Sequence, residues 1–275
     1  MTDRPDETLV AAAEAALAAS AARIVLVEHG GQHYVAKRVA DRPRRVSQAL
    51  FLRWLVKRAT GQSLSMRTLL LSEAASSVGY EAKRLESLAQ AGMRVPRLVH
   101  HAAGYLLLDH CGITVATQLD GWPADTWRLE LRRLAEDLGA FHQAGQWHGA
   151  AQIKNLTRKE GQTYRIDFEE NFGELVPLPA AQALDLVLFL NSVSLAGPID
   201  KAEARALLPD LLNAYFAANP DPRVREALAG ALPWVAGLAR LASPFKGQTV
   251  KGRQRKGAAR LVILAEALTV FLHGP

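Results

Sequence analysis

Two charged residues inside predicted apolar faces constrain the fold of this chain most strongly. The segment YVAKRVA (34–40) has the alternation of a strand, which places Lys37 on the same face as two valines. In the helix predicted over residues 72–91, Glu81 falls within the apolar stripe. A lone buried charge is costly, whereas a hydrogen-bonded pair of opposite charges is tolerated. We therefore expect Lys37 to contact Glu81, unless a register shifted by one residue exposes both.

The predicted elements change in character along the chain. An Ala-rich helix is predicted over 8–22, a β-hairpin turning at His29-Gly30-Gly31 follows, and YLLLDH (105–110) is strand-like. From residue 124 onward helical periodicity dominates. The predicted class is α+β with two lobes, and the predicted divisions are a helical extension over 1–22, a strand-bearing lobe over 23–111 and a mainly helical lobe over 112–275.

Positive charge is concentrated in two segments of a chain whose net charge is +6. Residues 42–58 and 246–260 contain Lys and Arg but no acidic residue, and such segments attract phosphates, nucleic acid or anionic lipid headgroups. A basic amphipathic helix predicted over 45–60 carries Phe51 and Trp54, so it suits an anionic membrane surface or packing within a lobe. Few aromatic residues lie among these charges, which disfavours stacking on single-stranded nucleic acid.

The cellular setting is inferred from what the sequence contains. Cys111 is the single cysteine, so no internal disulfide is possible, as is usual in a reducing compartment. The N-terminus lacks the basic and apolar regions of a secretory signal, and the longest apolar runs are shorter than a membrane span. We expect a cytoplasmic protein, with peripheral attachment to the inner membrane as a variant of that expectation.

Four acidic residues stand out in the second half of the chain. Asp167 leaves a predicted strand in TYRIDFEE, where Glu169 and Glu170 add further oxygen ligands. Carboxylates at strand ends often bind metal ions, although an acid at this position is also common in simple turns. Asp185, beside the apolar run LVLFL, is expected to cap that helix or to hold a loop from beneath.

The set Lys37, Glu81, His148, Asn155 and Asp167 resembles the protein-kinase-like fold. In that family a Val-Ala-x-Lys strand pairs with a helix Glu, and an H-R-D-x-x-x-x-N loop precedes Asp-Phe-Gly. Here VAK ends at Lys37, HGAAQIKN runs from His148 to Asn155, and IDFEE contains Asp167. Over residues 23–195 these motifs resemble those of bacterial lipopolysaccharide kinases of the Kdo/heptose kinase and InaA type, and they resemble Rio-like kinases less.

The resemblance implies a role for each matching position, with ATP and Mg²⁺ as cofactors. It places Lys37 and Glu81 at the phosphates, and Asn155, Asp167 and Glu169 at the metal. It places adenine against a hinge at Asp109, His110 and Cys111, and it gives Asp185 the task of steadying the catalytic loop. The implied catalytic set is His148, Ala150, Gln152, Asn155 and Asp167.

Three departures from the family pattern affect the expected activity. No G-x-G-x-x-G motif precedes the hairpin, and Asp-Phe-Gly has become Asp167-Phe168-Glu169. The position of the catalytic Asp is Ala150, and alanine cannot accept a proton. Loss of a general base typically costs a factor of about 10²–10⁴ in rate without removing nucleotide binding.

Three functions remain open on these grounds. One is an atypical phosphotransferase in which His148, Gln152 or Glu169 replaces the missing acid, with a phosphorylated lipid-sugar or another small molecule as acceptor. The second is a nucleotide-binding pseudokinase that acts on a protein partner through its shape. The third is a basic surface that binds anionic lipid or, less favourably, nucleic acid.

Overall fold

The computed structural model describes residues 6–38, 78–242 and 252–274, together with the isolated positions 46, 50, 53, 57 and 65. Its continuous described stretches divide into two compact units. The first contains residues 6–38, 78–113 and 157–171, and the second contains residues 114–156, 172–242 and 252–274. The sequence-based divisions 1–22, 23–111 and 112–275 stay predictions.

A four-stranded antiparallel sheet forms the centre of the first unit. Its spatial order is β1-β2-β4-β3, and its strands are β1 (Ile24–His29), β2 (Gln32–Arg38), β3 (Leu98–Ala102) and β4 (Tyr105–Asp109). The β1–β2 turn has φ of 56° at Gly30 and 71° at Gly31, the left-handed values that tight hairpins require. The predicted hairpin and the YLLLDH strand are therefore confirmed.

Helix α1 (Glu7–Ala19) covers one face of this sheet. Its buried side chains, Leu9, Ala13 and Leu17, pack into one apolar cluster with Val27, Ala36, Tyr105 and Leu107 of the sheet. The Asp6 carboxylate caps the helix by accepting a hydrogen bond from Thr8 N at 2.9 Å. At the other end Arg38 donates to the carbonyls of Leu17 and Ser20, which ties α1 to strand β2.

Helix α2 (Val78–Gln90) packs against β3 and β4. Leu85 and Leu88 on its inner side are buried, and Gly92 follows the helix with φ of 75°. The helix predicted over 72–91 is present in its described part, and residues 72–77 lie outside the described residues. The α2 helix thus carries Glu81 on its buried side, beside the sheet.

A second, three-stranded sheet has the order β5-β6-β7, with strands β5 (Ile113–Thr114), β6 (Leu156–Lys159) and β7 (Gln162–Arg165). Residues 157–171 belong to the first unit although they follow residues 114–156 in the chain. Strand β7 ends at Arg165, whose N–H donates to Arg94 O at 3.1 Å. The next few residues carry Asp167 and Glu169 within the same unit.

The described part of the second unit is mainly helical. Its helices are α3 (Val115–Gln118), α4 (Ala124–Gln143), α5 (Leu178–Val193), α6 (Lys201–Ala218), α7 (Pro222–Ala242) and α8 (Gly252–His273). Helix α4 packs on α6, and α7 packs on both α5 and α8. The predicted stripe of α4 is buried through Leu131, Leu134, Leu138 and Phe141.

These elements confirm the α+β class, with an antiparallel sheet and a Glu-bearing helix in one unit and mainly helices in the other. This composition is consistent with a kinase-like fold. In the part of the chain that the structure describes, none of the helices has the length and apolarity to span a bilayer. The basic helix predicted over 45–60 lies almost wholly outside the described residues, as do residues 246–251 of the second basic segment.

Candidate functional site

Lys37 and Glu81 form a buried ion pair in the first unit, as their positions in two apolar stripes predict. The Lys37 Nζ atom lies 2.9 Å from both carboxylate oxygens of Glu81. The side chains are 6% and 1% exposed. Strand β2 positions the lysine and helix α2 positions the glutamate, so the pair links the sheet to the helix.

Two further carboxylates reach the same ammonium group. Asp167 Oδ1 lies 2.7 Å and Glu169 Oε1 lies 2.8 Å from Lys37 Nζ. The ammonium group has three protons, whereas the two oxygens of Glu81 and these two make four acceptors. Lys37 therefore has no proton to offer a further anion unless at least two of the four oxygens move away.

The charges around Lys37 decide its protonation. Burial acts to lower the pKa of Lys37, but the attraction of Glu81, Asp167 and Glu169 outweighs it and raises the pKa above its ordinary value. Burial raises the pKa of Glu81, and Lys37 opposes that shift. Because both oxygens of Glu81 accept from one ammonium group, we treat the pair as ionised at neutral pH.

The backbone around Asp167 is held in an unusual conformation. Asp167 has φ of 71°, which places a non-glycine residue in the left-handed region. The following residue, Phe168, is buried and donates its N–H to Glu81 Oε1 at 3.3 Å. The Glu81 carboxylate thus bonds to both Lys37 and the backbone of the Asp-Phe-Glu segment. It thereby links strand β2, helix α2 and this segment.

Arg23 is the second cation of this cluster and was not singled out in the sequence. Its guanidinium pairs with Glu169 Oε1, the same oxygen that Lys37 contacts. Its Nε also donates to Arg38 O at 3.3 Å, and Arg38 N donates to Arg23 O at 2.8 Å. Arg23 precedes strand β1 directly and is 45% exposed, so no apolar pattern could have indicated it.

The predicted hinge residues lie at the end of strand β4. Asp109 N donates to Arg97 O at 3.0 Å, and the Asp109 carboxylate pairs with the Arg97 guanidinium at 2.9 Å. His110 N donates to His33 O at 3.1 Å. Cys111 is buried, and burial raises the pKa of its thiol to about 11. Two of the three backbone N–H groups of residues 109–111 are thus bonded to neighbouring backbone segments.

An exposed apolar surface shares the sheet face of Lys37. Ile24 is paired with Lys37 and Leu26 with Val35 across β1 and β2, so all four side chains project from one face. Ile24 and Leu26 are each 58% exposed, which is unusual for large apolar side chains on a strand. Among the described helices of this unit, α1 covers the opposite face and α2 packs on β3 and β4, so neither covers this part of the sheet.

In the second unit, Asp185 holds the backbone of the loop that begins at His148. The Asp185 carboxylate is fully buried and accepts from His148 N at 2.5 Å and from Gly149 N at 2.9 Å. Helix α5 carries this aspartate in the middle of an apolar run. Of the two structural roles expected for it, capping a helix or holding a loop, the contacts fit the second.

A second layer of buried polar groups supports Asp185. His142 Nε2 lies 3.5 Å from Asp185 Oδ2, and His142 Nδ1 lies 2.6 Å from the Tyr215 hydroxyl. Asn219 Nδ2 donates to the same hydroxyl at 2.9 Å. Sequence reasoning missed His142, although it follows Leu131, Ala135 and Leu138 at helical spacing, so a polar residue within that stripe was the available signal.

The loop from 148 to 155 is closed by its own hydrogen bonds. Ala150 N donates to His148 Nδ1 at 3.1 Å, and Ala150 O accepts from Gln152 N at 2.7 Å and from Asn155 Nδ2 at 2.9 Å. The Asn155 amide is therefore oriented by the loop itself. This loop places a methyl group at position 150, where the family resemblance expects a carboxylate.

The predicted metal ligands lie in different units. Asp167 and Glu169 belong to the first and Asn155 to the second. Within the described residues, no group of three or more His, Cys, Asp or Glu side chains is arranged to hold a metal ion. Mg²⁺ is commonly bound through one or two carboxylates together with phosphate oxygens and water, and Asp167 and Glu169 are 32% and 23% exposed. Their oxygens therefore suit Mg²⁺ in chemistry and accessibility.

Comparison with known proteins gives a limited set of matches. No protein-family model matches the chain, and no curated protein matches it in sequence. Solved structures that it resembles include WaaP in complex with acyl carrier protein, at 16% identity and a TM-score of 0.43, over 80% of this chain and 83% of that chain.

Proposed function

We propose that this chain is an atypical kinase-like phosphotransferase whose first unit binds the phosphates of ATP through Lys37. The observation that carries the proposal is the contact of one buried ammonium group with Glu81, Asp167 and Glu169. A lysine positioned by a helix glutamate, beside an aspartate that follows a strand, is the arrangement that phosphate binding requires in kinases.

The charge balance of the cluster favours a binding role over a purely structural one. A structural ion pair needs one carboxylate, whereas Lys37 is contacted by three. With Arg23 included, two positive and three negative charges leave a net charge of −1. Asp167 and Glu169 are the partly exposed members, so they are the carboxylates available to a cation from solution.

Mg²⁺, when bound, would neutralise phosphate charge and orient the phosphates. Asp167 and Glu169 are the residues that would hold it, and the role of Asn155 as a ligand stays a prediction from the resemblance. Release of these two carboxylates from Lys37 would leave two acceptors for three protons, so one proton would be free for a phosphate oxygen. Glu81 would meanwhile keep the ammonium group in place, because it is buried and bonded through both oxygens.

The exposed apolar face supports the same proposal. Ile24 and Leu26 lie on the sheet face of Lys37 and are open to solvent. A purine ring is flat and apolar on its faces, so it can cover side chains of this kind. The hinge residues Asp109, His110 and Cys111 stay proposed as the polar contacts of the base.

The acceptor is proposed from the resemblance alone. A phosphorylated lipid-sugar or another small molecule fits the lipopolysaccharide-kinase motifs. The segment 42–58 would then supply positive charge toward an anionic membrane surface. The general alternative of a basic protein that binds nucleic acid or lipid rests on segments that lie largely outside the described residues.

A nucleotide-binding pseudokinase is the second candidate, and the loop at Ala150 favours it. Among the proposed replacements for the missing acid, His148 is buried and accepts a hydrogen bond at Nδ1 from within the loop. Glu169 is engaged with Lys37 and Arg23. Gln152 has no acidic group. Each of these residues is therefore a poor general base in the observed arrangement.

Binding of ATP is the first requirement of both candidates. We expect the melting temperature of the protein to rise with millimolar ATP and Mg²⁺, and to rise much less with ATP and EDTA. The difference follows because Asp167 and Glu169 compete with phosphate for Lys37 when no cation takes them. An unchanged melting temperature in both conditions contradicts both candidates.

The substitution Ala150→Asp distinguishes the phosphotransferase from the pseudokinase. If the loop lacks only its base, the variant should convert ATP to ADP faster than the wild type, by a factor of about 10² or more. Release of labelled phosphate with Mg²⁺ measures this rate, and Ala150→Asn serves as a control of similar size. A wild type that releases phosphate as fast as the Asp variant contradicts the pseudokinase candidate, whereas no release by either protein contradicts the phosphotransferase candidate.

A further inference from the structure

Arg23 and Lys37 meet at a single carboxylate oxygen of Glu169. The Arg23 guanidinium pairs with Oε1, and the Lys37 ammonium lies 2.8 Å from the same atom. Two cationic side chains that converge on one oxygen form a site that suits a phosphate oxygen. In the structure a glutamate of the chain itself occupies this position.

The position of Arg23 is fixed by the fold and does not depend on Glu169 alone. Arg23 N–H and C=O groups lie at the start of strand β1, and Arg38 N donates to Arg23 O at 2.8 Å. The Arg23 Nε donates to Arg38 O at 3.3 Å, and Arg38 is in turn bonded to the end of helix α1. The α1–β1 junction therefore presents the guanidinium beside Lys37.

The sequence explains why a second cation is needed here. The chain has no G-x-G-x-x-G segment before the hairpin, so it lacks the row of backbone N–H groups that such a loop directs at phosphates. Helix α1 and its junction with β1 stand in that part of the chain. A guanidinium offers several N–H donors in one plane and suits a phosphate better than a single ammonium does.

We propose that Arg23 binds a phosphate of the nucleotide. Glu169 occupies the position of that phosphate in the absence of nucleotide. This inference rests on the proposed function, because it names a further residue of the same site. Glu169 thereby has two partners in succession: it pairs with Arg23 and Lys37 when phosphate is absent, and it yields both cations when phosphate binds.

The test is a comparison of ATP with adenosine as probes, by calorimetry or thermal shift in the presence of Mg²⁺. Arg23→Ala should weaken ATP binding by about tenfold to a hundredfold, which is the usual effect of removing a charge-assisted hydrogen bond. It should leave adenosine binding unchanged, because adenosine has no phosphate. Arg23→Lys should recover part of the loss, since it restores the charge without the planar group.

Two further variants complete the design. Arg133→Ala removes an exposed arginine of the second unit that is also paired with a glutamate, Glu130 at 2.9 Å, and should change neither affinity. Glu169→Gln removes the internal competitor, so it should strengthen binding of ATP in EDTA relative to the wild type. The melting temperature of each variant without ligand establishes that it is folded.

The outcomes distinguish failure of the proposed role of Arg23 from failure of the proposed ATP binding. If the wild type binds ATP and Arg23→Ala binds it equally well, the role of Arg23 is refuted while the proposed function stands. If Arg23→Ala weakens ATP and adenosine to the same extent, Arg23 acts only through the fold and the inference is refuted. If the wild type does not bind ATP at all, the proposed function and this inference fail together.

Discussion

At Cys111, burial determines how the thiol behaves. The thiolate is the reactive form, and burial raises the pKa of this group to about 11 from an ordinary value of 9.0. We expect alkylation by iodoacetamide at pH 8 to be about a hundredfold slower in the folded protein than in the urea-unfolded chain. Cys111 is the single cysteine, so mass spectrometry of the whole protein reports on it directly, with Cys111→Ser as the blank.

The same shift predicts a dependence of stability on pH. Between pH 9 and 11 the unfolded chain loses the thiol proton while the folded protein keeps it, so the free energy of unfolding falls as pH rises through this range. Below pH 9 the thiol is protonated in both states, so it does not make the free energy of unfolding depend on pH. Equal alkylation rates in folded and unfolded protein at pH 8 would contradict the assignment of a buried, protonated thiol.

Single residues differ in how far the sequence alone could predict them. Lys37 and Glu81 could be paired in advance, because a charge inside an apolar stripe needs an opposite charge nearby. Arg23 could not, since it is partly exposed and precedes a strand, where arginine is common. Glu169 was expected as a metal ligand, but its contacts with two cations depend on the three-dimensional structure.

At the scale of elements, close packing between α4 and α6 depends on a glycine. A Cβ atom built on Gly139 would lie 2.6 Å from Tyr215 O and 2.8 Å from Ala218 Cβ. These distances are too short for real contacts, and the first involves backbone that cannot move alone. The two helices must therefore separate if residue 139 acquires a side chain.

The substitution Gly139→Ala should lower the free energy of unfolding by about 1–3 kcal/mol, the usual cost of overpacking a core. Gly230→Ala, in helix α7, is the matched control because a Cβ there meets no atom within 4 Å. Alanine has the higher helix propensity, so the control should be neutral or gain up to about 1 kcal/mol. Urea unfolding of both variants measures the difference, and equal stabilities would show that α4 and α6 do not pack as described.

Helices and strands that have a local sequence pattern could be predicted. The side-chain contacts that join them to distant elements could not. The β1–β2 hairpin follows from glycines at its turn, and the burial of α4 follows from its periodicity. Strand β7 is shorter than the TYRIDFEE pattern indicated, because the chain turns into the left-handed region at Asp167. The network of His142, Tyr215 and Asn219 joins helices far apart in sequence and gives no local pattern.

At the scale of the whole molecule, the candidate site depends on contacts between distant segments. Lys37 and Asp167 are 130 residues apart, and Arg23 and Glu169 are 146 apart. The resemblance to kinases assigned Lys37 to the phosphates and Asp167 to the metal, and it predicted no contact between the two side chains. The inclusion of residues 157–171 in the first unit brings the Asp-Phe-Glu segment into the same unit as Lys37 and Arg23. Local periodicity cannot specify such a return of the chain.

We propose that Lys37 binds the phosphates of ATP when Mg²⁺ is present, and substitution of this lysine tests the proposal. Its control is Lys83→Ala, which removes an exposed lysine from helix α2, the helix that carries Glu81. Because Lys37→Ala leaves Glu81 buried without its partner, the double variant Lys37→Met/Glu81→Leu is included to keep the interior neutral and the protein folded.

The decisive measurement is calorimetric titration of these proteins with ATP and Mg²⁺. The wild type and Lys83→Ala should bind with the same affinity, and both Lys37 variants should lose at least about tenfold in affinity while they remain folded. A folded Lys37 variant that binds ATP and Mg²⁺ as tightly as the wild type would contradict phosphate binding by Lys37.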